Sequence, residues 1–317
     1  MKSGTNKIMR KIKGSWSFVK QIFSEFVANS VLKFSASLAY YTILSLVPLL
    51  IIILSITGFF FGEEAIRGEL YAQINDLVGR NAALEIQKAI QNIHLARGSF
   101  FATSLGVLVL VFGATGIFGE MQDSLNKIWG LRTKTRKIWW KLILDRLISF
   151  SIILCIGFVF IVSLLLNAVV SAISRQISDT LGGLRESFLF GLDHIIFIVI
   201  STALFATIFK VLPDARIKWK DVFVGAFITA CLFTLGKYAI GLYLGQSQLG
   251  SIYGAAGSTM ILMIWIYYSA AILYLGASFT KVYATQYGGK IYPSEYSVWI
   301  KHEEIPVNEV QLSDQHK

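Results

Sequence analysis

Long apolar runs, separated by short charged or polar segments, recur along this 317-residue chain. A helix needs about 20 apolar residues to cross the roughly 30 Å hydrocarbon layer of a bilayer. Six runs qualify: Ala36 to Gly62, Ser99 to Gly119, Leu147 to Ile173, about His194 to Leu212, Val222 to Leu244 and about Ala255 to Thr280. The apolar residues are continuous rather than alternating, which excludes a strand-built barrel. The pattern predicts an all-α fold, an integral membrane bundle of about six transmembrane helices.

Two further segments have helical spacing. In 64–95, Ile66, Leu70, Ile74, Leu77 and Val78 are followed by Leu84, Ile86, Ile90 and Ile93. With a break at Gly79-Arg80-Asn81, this reads either as a helical cap on the outer face or as a plain helical linker. In 7–34, Ile8, Ile12, Trp16, Val19, Phe23 and Phe26 fall near one face, with lysines alongside. That is the pattern of a basic interfacial helix on the inner leaflet. The chain therefore divides into a basic amphipathic N-terminal arm (1–35), a six-span transmembrane domain (36–286) and a polar, acidic C-terminal tail (287–317). From Ile291 onward the tail has little that could build a core, and its last part is expected to be disordered. The first apolar run follows a basic, aromatic stretch, so it is expected to be kept as a span and not removed as a signal peptide.

Composition supports the membrane reading. The chain is 55% hydrophobic and 15% charged, with mean hydropathy +0.61, whereas a soluble domain carries about 25% charged residues. The net charge of +10 raises nucleic acid as a partner, but the cations sit between the spans, where they set topology. Lys2, Lys7, Arg10, Lys11, Lys13, Lys20 and Lys33 precede the first span. Lys127, Arg132, Lys134, Arg136, Lys137, Lys141 and Arg146 follow the second, and Arg216, Lys218 and Lys220 follow the fourth. The remaining connections are poorer in cations or offset by acids. This alternation predicts both termini in the cytoplasm, with membrane lipids and not nucleic acid as partners.

No catalytic constellation is visible. His94, His194, His302 and His316 show no metal-ligand spacing, and Cys155 and Cys231 form no pair pattern. No phosphate loop or nucleophile motif occurs. The chain is therefore expected not to be an enzyme and to hold neither metal nor cofactor.

Lys237 stands inside the fifth run, where a cation costs roughly 2.5–3.5 kcal/mol on insertion scales. It reads either as a contact for an anionic group in the bundle interior or as a lysine snorkelling to the outer surface. Tyr41, Ser45 and Asn167, on the first and third spans, are its expected companions around a polar cavity. Pro48 should kink the first span, and that span's polar residues suit either a cavity wall or helix packing. Gly245 to Gly257, with Gly250 and Gly254 inside it, reads as a tight outer hairpin or a re-entrant segment. Gly241 and Gly245 form a GxxxG pair suited to close helix contact.

Three regions carry a family resemblance: SLAYYTILSLVPLL from Ser37, QDSLNKIWGLR from Gln122, and LPDARIKWKDVFVGAF from Leu212 with GSIYGAAGSTMILMIWIYYSAAILYLGA up to Ala277. With these the chain resembles the YihY/BrkB family of bacterial inner-membrane proteins, from about Phe34 to Ala284. The resemblance implies a six-helix fold in the bacterial cytoplasmic membrane and little about activity. Ser278 stands where that family often has Glu. An older family label, ribonuclease BN, finds no nuclease constellation in these residues. The leading expectation is a transporter or flippase-like carrier of an anionic or amphipathic envelope molecule. The alternative is a non-transporting scaffold or partner-binding protein. Oligomeric state is not readable from the sequence.

Overall fold

The computed structural model describes residues 16–45, 116–134, 185–246 and 257–300. These form helices α1 (16–28), α2 (31–45), α3 (116–128), α4 (Arg185–Val211), α5 (Trp219–Gln246) and α6 (Gly257–Gln286). Four short strands accompany them: β1 (Leu131–Thr133), β2 (Ala215–Arg216), β3 (Tyr292–Pro293) and β4 (Ser297–Trp299). Among the described residues, three helices are long and apolar enough to cross a membrane, over His194–Val211, Trp219–Leu244 and Thr259–Gln286. They correspond to the last three of the predicted spans. Most of the first three, with Pro48, Asn167, Gly250, Gly254 and the expected outer cap, lies outside the described residues.

The N-terminal helix differs from the single helix its periodicity predicts. It breaks at Asn29-Ser30, where Ser30 has φ of +52°. The cause is local. The Glu25 carbonyl accepts both the Asn29 backbone N–H at 3.0 Å and the Asn29 side-chain amide at 2.7 Å, so Asn29 closes the last turn of α1 with its own side chain. A new helix, α2, then starts at Val31, which is fully buried. On one side α1 is tied to α6. Glu25 pairs with Lys281 at 2.6 Å, Gln286 bonds Gln21, and Phe18 packs edge-on against Phe279. Its other side presents exposed Trp16, Val19, Phe23 and Val27.

Helices α5 and α6 meet along a reciprocal seam of glycine and threonine. Gly225 on α5 faces Thr280 on α6, and Gly276 on α6 faces Thr229 on α5; a Cβ on either glycine would overlap the opposing threonine. Each threonine hydroxyl donates to the carbonyl one turn earlier, Thr229 to Gly225 and Thr280 to Gly276, both at 2.7 Å. The polar atoms are therefore satisfied within their own helix. The contact itself is close backbone approach, the main attraction open to helices in lipid. Among the described residues, a Cβ at Gly241, where the sequence suggested such a contact, would meet nothing within 4 Å. The spacing of small residues is visible in a sequence, but which helix face meets a neighbour is not.

Aromatic rings fill the layer between α4, α5 and α6. Phe233 packs against Phe205 and, edge-on, against Trp265. Trp129, Tyr274, Phe209, Leu125 and Ile128 are almost wholly buried. The Trp129 indole donates to the Ala277 carbonyl at 3.1 Å, anchoring the end of α3 on α6.

The first part of the tail also departs from expectation. Residues 291–300 turn back onto the helices. β3 pairs antiparallel with β2, and β4 with β1. Ile291 joins the core and Ser297 is buried. The segment is held by partners remote in sequence, which is why its own composition gave little sign of order.

Candidate functional site

Lys237 is half-buried on α5, seven residues before the end of the Trp219–Leu244 span, or about 10 Å along the helix. Its ammonium lies over the Phe197 ring of α4, 4.4 Å from the centroid, and 5.9 Å from the Tyr238 ring. Beside it the His194 ring stacks parallel to Tyr238, and the His194 Nε2 and Tyr238 hydroxyl share a short hydrogen bond. Ring faces attract a cation by about 2 kcal/mol or more where water is excluded. That offsets much of the insertion cost.

The expected companions of Lys237 fall differently. Ser45 is buried and donates to the Tyr41 carbonyl at 2.8 Å. The Tyr41 ring covers Gly116 of α3, with its Cδ1 2.7 Å from where a Cβ would stand. Tyr41 serves the α2–α3 contact and the Ser45 hydroxyl bonds within α2, whereas the Lys237 ammonium lies between α4 and α5. Asn167 lies outside the described residues. Phe197, His194 and Tyr238 were not singled out by the sequence; a Phe in an apolar run looks like any other, and a His and a Tyr 44 positions apart show no spacing.

A second polar assembly, also unanticipated, closes the face from which β1 to β4 project. Asp214, in the turn between α4 and α5, is its hub. Its carboxylate accepts from the Asn126 amide at 3.1 Å, the Thr133 hydroxyl at 3.0 Å and the Gln122 amide at 3.3 Å. Its backbone N–H donates to Asn126 Oδ1 at 2.8 Å. Its carbonyl accepts from Ser297 Oγ at 2.6 Å and the Ser294 N–H at 3.0 Å. Two of the sequence stretches singled out above, QDSLNKIWGLR and LPDAR, are thereby joined to each other and to the tail. Nearby, Asp221 is buried and accepts from the Gly289 N–H at 2.8 Å. Glu295 pairs with Arg216 at 3.3 Å.

Ser278 is fully buried and donates to the Tyr274 carbonyl, so it is spent within α6.

The chain matches the family described as Virulence factor BrkB over residues 22–296. It is similar to UPF0761 membrane proteins from several bacteria. It is 28% identical to one from Tolumonas auensis, over 77% of each chain. It is 29% identical to one from Photobacterium profundum, over 78% of this chain and 74% of the relative. A third, from Vibrio vulnificus, is 25% identical over 86% of this chain and 84% of the relative. No solved structure matches. The matched span takes in the α5–α6 seam, the Asp214 hub and most of the returning tail, and on that match the chain belongs to the BrkB family of membrane proteins.

Proposed function

We propose that this protein is a carrier in the bacterial cytoplasmic membrane, with six spans and both termini in the cytoplasm, that moves an anionic, amphipathic envelope molecule. Lys237 carries the reading. A cation placed at membrane depth at such cost is a functional candidate by default. The Phe197 and Tyr238 rings beside the ammonium suit a molecule with an anionic head and an apolar body.

The acids favour a carrier over an enzyme. Among the described residues, Asp214, Asp221, Glu25 and Glu295 each hold a hydrogen bond or ion pair that ties elements together, and Asp123 pairs with Lys127 within α3.

Native mass spectrometry of the purified protein tests the site. Phosphatidylglycerol is expected to be retained over phosphatidylcholine, and Lys237→Met to reduce that preference about tenfold, a loss on the order of 1.4 kcal/mol. Equal retention by the Lys237→Met and unaltered proteins would remove Lys237 from the site. Topology has its own check. A cysteine at exposed Arg132 is expected to react with an impermeant thiol reagent only after the cytoplasmic side is opened, and labelling from outside alone would reverse the assigned orientation.

A further inference from the structure

The passage from α4 to α5 gathers Lys210, Arg216, Lys218 and Lys220 within eleven residues, against one acid, Asp214. The acids nearby are already engaged. Asp214 is bound to Asn126, Thr133 and Gln122, Asp221 accepts from the Gly289 N–H, and Glu295 pairs with Arg216. The Lys218 stem lies against Gly289, beyond the end of α6. Among the described residues no carboxylate pairs with Lys210 or Lys220, so this corner of the molecule carries an excess of positive charge.

Both lysines stand where the apolar layer ends. Lys210 is the last residue but one of the His194–Val211 span, and Lys220 follows Trp219, the first residue of the Trp219–Leu244 span. The Lys210 ammonium donates to the Ile217 carbonyl and lies over the Trp219 ring, 5.5 Å from its centroid. Trp219 packs in turn on Phe223, with ring centroids 5.6 Å apart. Trp219, Phe223 and Phe227 recur at four-residue spacing and all are exposed, which makes a stripe of rings running from the lysines into the apolar layer. Lys220, itself exposed, is seven residues before Phe227 and so falls on the same face of α5.

We propose that Lys210 and Lys220, beside the Trp219 ring, bind the phosphate of a net-negative phospholipid whose acyl chain lies along Phe223 and Phe227. Tryptophan rings favour the headgroup level, and basic pockets between the ends of spans take anionic head groups. Two ammonium groups with no carboxylate partner favour a lipid of net negative charge over phosphatidylcholine, whose headgroup brings a cation of its own. The stripe also favours lipid over a soluble protein. Phe227 is eight residues into its span, about 12 Å along the helix, where a partner in water does not reach. Lys237 is 18 residues beyond Trp219 on the same helix, about 27 Å away, so one headgroup cannot touch both sites. Binding here requires no transport and goes beyond the carrier reading.

Photo-cross-linking of the purified full chain in phosphatidylcholine nanodiscs tests the site. The nanodiscs are doped with a phosphatidylglycerol that carries a diazirine near the head of one acyl chain, and labelled peptides are located by mass spectrometry. Labelling within 219–227 is expected to exceed that by a phosphatidylcholine with the same diazirine. One cation near an anionic group contributes about fivefold in affinity, so that preference is expected to fall about fivefold in Lys220→Gln and to be kept in Lys220→Arg. Lys210→Gln is expected to lower it similarly; should that variant not fold, since Lys210 also ties the turn, exposed Lys220 decides alone. Lys237→Met is expected to leave it unchanged. Equal labelling by the two probes overturns the proposal, because the stripe would then be ordinary boundary surface. A preference unmoved by Lys220→Gln, or abolished by Lys237→Met, overturns it as well. Failure of the lipid measurements at Lys237, with the preference at 219–227 intact, would sink the carrier and leave this site standing.

Discussion

Gly225→Val and Gly276→Val are each expected to leave little or no folded protein in the membrane. The β-branched side chain would have to occupy space already filled by Thr280 or Thr229, and both positions are in helix interiors where the backbones cannot separate without opening the seam. Alanine is the graded version. One methyl in a filled interface costs about 1–3 kcal/mol, and Gly225→Ala is expected to fall within that range. The opposing residue decides it. Removing the Thr280 hydroxyl and methyl takes away two of the three atoms that a Cβ at Gly225 would meet. Gly225→Ala combined with Thr280→Ala is therefore expected to recover part of the loss, a coupling that independent sites would not show. Thermal unfolding in one detergent, followed by light scattering and size-exclusion chromatography, measures it. Additive losses in the double variant would mean that the two residues do not touch.

Asp214→Ala is the second large effect. The substitution leaves Asn126, which is buried, without the acceptor for its amide, and withdraws the acceptor of Thr133 and Gln122. Bonds to a charged group contribute about 1.5–3 kcal/mol each, and stranded buried donors add to the loss. A destabilisation of about 2–4 kcal/mol is expected, more than a typical exposed-loop change. The consequence should be local first. The tail is held by Ser294 and Ser297 on the Asp214 carbonyl, and that carbonyl survives, but the turn carrying it loses its anchor on α3. Limited proteolysis should therefore cut within 291–300 sooner in Asp214→Ala than in the unaltered protein. Asp214→Asn keeps the shape but turns one acceptor oxygen into a donor facing Asn126 and Thr133, so it is expected to lie between the two. A tail equally protected in all three would show that the strand pairings alone hold it.

The parts of this fold that were legible in the sequence are those governed by one-dimensional pattern. A span is a run of apolar residues, and α4, α5 and α6 follow their runs closely. α4 starts earlier than its apolar window, at Arg185, because its first turns carry Glu186 and Asp193. Lys237 was legible for a related reason: a charge in an apolar run has a cost that can be estimated without knowing its neighbours. Its ring partners could not be read, since Phe197 differs from other phenylalanines only in where it faces. The Asp214 hub was invisible because its members are ordinary polar residues lying 81 to 92 positions apart. The same limit explains the GxxxG expectation. Gly241 and Gly245 fit the spacing of a close contact, and the described α5–α6 seam is built from Gly225 and Gly276, each one turn from a threonine, a pairing that requires both helices to be in view.

Transport is tested most directly by reconstitution. The purified protein is placed in vesicles carrying a fluorescent phosphatidylglycerol in both leaflets, and an impermeant quencher reports how fast inner-leaflet probe reaches the outside. Faster exposure than in protein-free vesicles is expected, slowed several-fold by Lys237→Met and largely kept by Lys237→Arg, which preserves the charge. Exposure no faster than in protein-free vesicles, or equally fast with Lys237→Met, would contradict it.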